Sequence, residues 1–141
     1  MTELGLPIVR CVGAVIRDAA GLLLLVRRAH EPGRGRWSVP GGRVRQGESD
    51  AEAVVREVYE ETRLSVTVGP LLGSVLRPAP HGTFEIHDYL CQVVDGDLRA
   101  GDDADAAEWF DREMFTTLHR DGMLVDGLAQ ALEGWDALPR V

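Results

Sequence analysis

One stretch constrains this chain more than any other: residues 49–64, SDAEAVVREVYEETRL. Ser49 followed three residues later by Glu52 is the signature of a capping box, in which side chains and backbone amides at a helix start satisfy one another. Ala51, Val54, Val55 and Val58 recur at i, i+3, i+4 and i+7, an apolar stripe of helical period. The chain must therefore lay one amphipathic helix against a hydrophobic layer.

The flanking residues supply that layer. Ile8–Ile16 and Leu22–Arg27 read as strands joined by a turn at Asp18–Gly21, and Trp37–Val39 as a short extended piece stopped by Pro40-Gly41-Gly42. After the helix, Leu64–Val68, Leu71–Leu76 and Thr83–Val94 read as extended, Ala107–Phe110 as a short strand, and Asp111–Leu118 and Met123–Leu132 as helices. Strands before and after a central helix predict an α/β or α+β fold with mixed strand pairing. The 141 residues, 45% apolar, suit a single domain spanning 1–141. The longest apolar run, Leu22–Val26, is strand-sized, so no helical membrane span is expected. The first ten residues lack the basic and apolar regions of a secretory signal, and Cys11 and Cys91, both in apolar runs, read as buried thiols. A cytoplasmic location is the expectation.

Charge narrows the partners. The net charge of −8 argues against a surface for DNA or RNA polymers, which needs a basic footprint. Residues 1–47 carry a net +5 and residues 48–141 a net −13. A small polyanionic substrate fits that split if divalent cations sit in the acidic half and arginines meet phosphates. The chain contains neither Lys nor Asn, so Arg abundance reflects codon composition as well as recognition.

The chemistry lies in the helix. At about 100° per residue, Glu57, Glu60 and Glu61 share one flank of the stripe, spaced i, i+3 and i+4. Like charges so spaced repel by roughly 0.2–0.5 kcal/mol per solvated pair. A hard divalent cation relieves that repulsion, and clustered carboxylate oxygens are what Mg²⁺ or Mn²⁺ prefers. Arg56 reaches Glu52 at i−4 and Glu60 at i+4, so it can hold a carboxylate in place. Taken alone, such a stretch is most often a solvated helix face.

The upstream context changes that reading. Gly42, five residues, Glu48, seven residues, then Arg56-Glu57-Val58-Tyr59-Glu60-Glu61-Thr62-Arg63-Leu64 resembles the signature of the Nudix hydrolases, which cleave a nucleoside diphosphate linked to another moiety. A chance match of Gly42, Glu48, Arg56, Glu57, Glu60 and Glu61 has odds on the order of one in a hundred thousand over this chain. Gly35–Gly42 is similar to the family's lead-in, and Glu108-Trp109-Phe110 to its later acidic strand. The resemblance implies an αβα sandwich with a mixed sheet and a catalytic loop–helix–loop. Arg63 stands where the family has Gly. The resemblance implies that this position ends the helix in a left-handed conformation, which costs a non-Gly residue about 1–2 kcal/mol; an ordinary right-handed turn at Arg63 is the alternative.

The same resemblance implies Mg²⁺ or Mn²⁺ on Glu57 and Glu61, with Glu60 a further ligand or water-positioning group and Glu48 an outer candidate. The Gly41 carbonyl is a candidate backbone ligand, and Arg56 the orienting cation. The implied reaction is attack of metal-activated water on a pyrophosphate, with Glu60 or Glu108 taking the proton. Beyond the motif, Arg27 or Arg28 is a candidate phosphate contact, and Trp37 is either a base-stacking platform or a core anchor. Asp103 or Asp105 competes with Glu108 for a last metal within the acidic run 102–105, which includes Asp102. His81, His87 and His119 lack ligand spacing. Nucleoside triphosphates, ADP-ribose, dinucleoside polyphosphates and nucleotide sugars all fit the class, with specificity expected in loops at Arg77–Asp88 and Gly96–Asp105. The alternative is a catalytically silent Nudix-fold nucleotide-binding or regulatory module.

Overall fold

The computed structural model describes residues 5–101 and 103–141; Asp102 lies outside the described residues. Ten elements follow one another: β1 (Ile8–Ile16), β2 (Leu23–Arg28), β3 (Trp37–Ser38), β4 (Gly41–Arg43), α1 (Asp50–Thr62), β5 (Ser65–Ala79), β6 (Gly82–Asp95), β7 (Ala104–Phe110), α2 (Arg112–Arg120) and α3 (Leu128–Gly134). They form a four-stranded sheet of order β4-β1-β6-β5 and a three-stranded sheet of order β3-β2-β7. β1 runs parallel to β6, and the other pairings are antiparallel, so the pairing is mixed as expected.

Two apolar layers explain the order. Val12, Ala14, Ile16 and Leu24 pack with Ala53, Val54 and Val58 of α1. On the other side Leu23, Leu25, Trp37 and Phe110 pack with Phe115, Leu128 and Leu132 of the C-terminal helices. Alternate residues of β2 thus serve opposite layers, as a strand buried on both faces requires. The sheets lie between helices, giving the αβα arrangement. No helix among the described residues is long and apolar enough to cross a membrane.

Several boundaries differ from the pattern-based reading. The runs at Leu64–Val68 and Leu71–Leu76 are one strand, β5, whose register shifts around Gly69-Pro70. Arg77–Asp88 is not a loop: its ends belong to β5 and β6, with a turn only at residues 80–81. Met123–Leu132 becomes helical only at Leu128, because Met123 and Val125 pair their backbones with Trp37, extending β3 instead. β7 begins three residues before the expected Ala107. The stripe on α1 is rotated too. Ala51 and Val55 are exposed, and the buried face is Ala53, Val54, Glu57, Val58, Glu61 and Thr62.

Candidate active site

That rotation puts two carboxylates at the centre of the buried face rather than on its flank. Glu57 and Glu61 retain only 9% and 7% of their accessible surface. They stand one helical turn apart on the wall of a cavity of about 620 Å³, together with Gly41, Gly42, Arg28 and Asp103. The motif glycines make this approach possible. A Cβ on Gly42 would lie 2.5–2.7 Å from the Glu57 carboxylate, and one on Gly41 would lie 2.2 Å from the Val12 carbonyl oxygen. The Gly41 amide donates to Glu61 Oε1 at 2.7 Å.

Burial raises both carboxyls above the usual range, Glu61 to about 8, with the Gly41 amide opposing the shift and the Glu57 charge adding to it. Arg56 offsets part of the cost for Glu57. Its Nε and Nη2 donate to the two oxygens of Glu48 at 2.6 and 2.8 Å, and its Nη1 donates to Glu57 at 2.7 Å and to Glu60 at 3.3 Å. Nη2 also reaches the Arg43 carbonyl at 3.0 Å. The expected Arg56–Glu52 contact is absent, because Glu52 closes the capping box with Ser49. Glu48, gripped by Arg56 and the Arg45 amide, is held down at about 2 and serves as the counter-ion that fixes the arginine.

The other candidates separate clearly. Glu60, like Glu108, is not part of the cavity wall; its carboxylate is held between Arg56 at 3.3 Å and Arg45 at 3.6 Å. Trp37 is 7% exposed, sits edge-on to Phe110 at 5.0 Å and is absent from the cavity wall; it is a core anchor. Arg27 turns away to Asp105 at 2.5 Å and over the Trp37 ring, so Arg28 is the cavity-facing member of the pair. Glu108 is exposed and off the cavity wall, whereas Asp103 lines it and bears on both Glu57 and Glu61. His87 is fixed between Glu85 and Asp50.

The segment expected to carry specificity, Arg77–Asp88, places both of its end residues on the cavity wall, although neither was singled out as a site residue. The signal was available. Phe84, Ile86, Asp88 and Leu90 alternate along β6, and an Asp at the apolar parity of a strand is out of place unless used.

Among the described residues, no three acidic, His or Cys side chains gather closely enough to hold an ion unaided. A two-carboxylate site suits a hard cation that keeps its waters and takes substrate phosphates as further ligands. The buried, poorly compensated oxygens of Glu57 and Glu61 fit that description. Cys11 on the same wall does not compete, since burial pushes its thiol up to about 11.

The NUDIX domain family profile matches residues 7–127. An ADP-ribose pyrophosphatase of Methanocaldococcus jannaschii is 41% identical over 74% of this chain and 62% of its own length. An 8-oxo-(d)GTP phosphatase of Mycolicibacterium smegmatis is 33% identical over 77% of this chain and 36% of its own. The chain thus spans less than two thirds of these two relatives. The crystal structure of a MutT protein from Methanosarcina mazei Go1 superposes with a TM-score of 0.83 at 28% identity, covering 95% of this chain and 96% of that one. The fold and the Gly42–Leu64 segment are those of a Nudix hydrolase domain, and the chain belongs to the Nudix family. That family generally uses divalent metal ions.

Proposed function

We propose that this protein hydrolyses a pyrophosphate bond in a nucleoside triphosphate or other nucleoside diphosphate derivative, with Mg²⁺ or Mn²⁺ held by Glu57 and Glu61. One observation carries the reading: two buried carboxylates one turn apart share a cavity wall with the motif glycines, Arg28 and Asp103. A cation held there by Glu57 and Glu61 would supply a lowered pKa to a water and neutralise charge on the departing phosphate. The chain's own groups do the rest. Arg56 is a positioning residue that holds Glu57 and Glu60 while Glu48 fixes it from behind. Gly41 orients Glu61 through its amide, and its carbonyl is a further candidate ligand. Arg28 meets a substrate phosphate. Glu60 accepts the proton of the attacking water, and Asp103 adds negative charge to the wall that carries Glu57 and Glu61. This reading gives no role to Glu108, Arg27 or Trp37; Trp37 and Glu108 being absent from the cavity wall and Arg27 being paired with Asp105 support that.

The names of the relatives support nucleotide substrates, among them ADP-ribose and 8-oxo-dGTP. The test is product release from a panel of nucleoside triphosphates, ADP-ribose, dinucleoside polyphosphates and nucleotide sugars, with Mg²⁺ or Mn²⁺ and with EDTA. Metal-dependent release from at least one member is expected. Metal-saturated protein inert across the panel would leave the silent binding module.

A further inference from the structure

The four-stranded sheet ends in a long edge. β5 pairs with β6 on one side and closes the order β4-β1-β6-β5, and no strand among the described residues pairs with its outer side. Folded proteins guard such edges with charges, prolines, bulges or short length, because the outward N–H and C=O groups are a template for another strand. In β5 these devices stop at Gly73 and resume at Pro78. Pro70 and the register shifts all precede Gly73, and from there to Arg77 the ladder with β6 is regular. The whole strand holds one charge, Arg77, whose side chain is on the cavity wall. The stretch Gly73–Arg77 therefore has no guard of its own.

The side chains beside it are apolar. Leu71 is 50% exposed and Leu76 69%, the highest value of any large apolar side chain among the described residues. Leu76 stands opposite Glu85 and Ser74 opposite His87, which reaches Asp50 of α1, so both lie on the face that α1 covers. The acids behind them are already paired, Glu85 with His87 and Asp50 with Arg10. Helix α1 extends the strip. Its Arg56 and Glu60 turn to Arg43 and Arg45 on the β4 side. Val55 and Tyr59, each about 100° round the helix from those two, lie on the other shoulder, toward β5, and are both exposed.

A two-fold contact sets each surface against itself, so any charge in it meets its own sign. For two copies of a chain with net charge −8, an uncharged edge flanked by Leu71, Leu76, Val55 and Tyr59 is a surface free of that penalty. We propose that two copies of this chain pair through β5, antiparallel about an axis at Val75, the middle of the unguarded stretch, so that two four-stranded sheets become one of eight. Ser74 of one copy then faces Leu76 of the other, with both Leu76 side chains beside the axis. Arg77 and Pro78 belong to the edge and to the cavity wall alike, so the second copy stands next to the cavity. The inference does not rest on the hydrolase reading.

Sedimentation equilibrium of the full chain in EDTA, from micromolar to millimolar protein, tests it without metal or turnover. The parent should show the mass of two chains, dissociating on dilution, and salt should tighten the pair by screening the charge of each copy. Leu76→Glu, at a side chain already in solvent, should keep the parent's circular dichroism and sediment as one chain, because it brings like charges together at the axis. Met114→Glu, at an exposed site on α2, should leave the pair intact. If Leu76→Glu does not fold, Val75→Cys serves. At the axis each new thiol meets its twin, so diamide should link most of that variant as a two-chain disulfide, but not the parent, whose Cys11 and Cys91 are buried. A parent that stays a single chain at every concentration overturns the proposal, whether or not it takes up a foreign strand. So does a pair that survives Leu76→Glu, that Met114→Glu breaks, that salt loosens, or that diamide fails to link in Val75→Cys.

Discussion

The two halves of α1 are built on opposite terms. The first, from Ser49 to Val55, uses local devices for stability: a reciprocal capping box, acids in the first turn and an exposed polar face. The second, from Arg56 to Arg63, accumulates costs. It buries two carboxylates, has no basic residue in its last turn, and ends in a non-glycine left-handed residue. Carboxylates show the contrast directly. Glu48, just ahead of the first half, is held at about 2 by Arg56, while Glu61 is pushed up to about 8 by burial. Stability is concentrated where the helix begins and the capacity for chemistry where it ends, so substitutions in the two halves should divide along the same line.

The largest expected effect tests the second half. Glu57→Gln or Glu61→Gln should cut turnover at saturating Mg²⁺ by about a hundredfold or more, the scale of losing electrostatic stabilisation in a transition state. The metal-free fold should melt no lower than the parent, because each change removes the cost of burying an ionisable carboxyl whose pKa burial raises. Full activity in both variants would erase the distinction between the halves.

Next comes the pH dependence of metal-free stability. A carboxyl whose folded pKa is raised contributes most below the ordinary carboxylate range and loses that contribution as pH rises through its folded value. For Glu61 the loss runs from about pH 4.5 to about 8. Glu48, depressed to about 2, keeps its contribution until strongly acid pH. In EDTA the melting temperature should therefore fall between pH 5 and 8. Millimolar Mg²⁺ or Mn²⁺ should offset the fall by mass action. Glu61→Gln should flatten the metal-free curve, and a curve of unchanged slope in that variant would assign the effect elsewhere.

The first half offers the converse. Ser49→Ala removes the acceptor for the Glu52 amide and should cost about 1 kcal/mol in a denaturant melt, with turnover unchanged. A loss of turnover at full stability would mean that the helix start helps to position the ligands.

Local chemistry was legible in the sequence, and burial was not. The capping box lies in four consecutive residues, and of the two exits open at Arg63 the motif glycine favoured the left-handed one, which the structure shows at φ 63°. The rotation of α1 was hidden because a hydropathy wheel places the apolar residues at the centre of the buried face. Here that centre holds Glu57 and Glu61, and Val55 faces solvent. Glu108 and Asp103 were equivalent acids until the register of β7 turned Glu108 outward. Arg27 and Arg28 likewise needed the sheet to decide which faces the cavity.

The smallest effect isolates the strain at the helix exit. Arg63 holds φ 63° and ψ 15° while its amide donates to the Tyr59 carbonyl, so the backbone closes the helix as a glycine would. The Cβ makes that conformation cost about 1–2 kcal/mol. The side chain returns part of the cost, with its guanidinium 5.4 Å from the centre of the Tyr59 ring and Nη1 3.4 Å from the Tyr59 carbonyl oxygen. An exposed cation–π contact contributes about 0.5–1 kcal/mol. Arg63→Gly, which removes both strain and contact, should therefore stabilise by about 0.5 kcal/mol. Arg63→Ala keeps the Cβ and loses the contact, and should destabilise by about the same amount. The Gly–Ala difference, about 1 kcal/mol in paired denaturant melts, measures the strain net of glycine's larger unfolded-state entropy. Turnover should be unchanged in both, because Arg63 is not among the residues of the cavity wall. A glycine variant no more stable than the alanine one would mean that the helix exit carries no backbone strain, and the cost of the second half would then reside in its buried carboxylates.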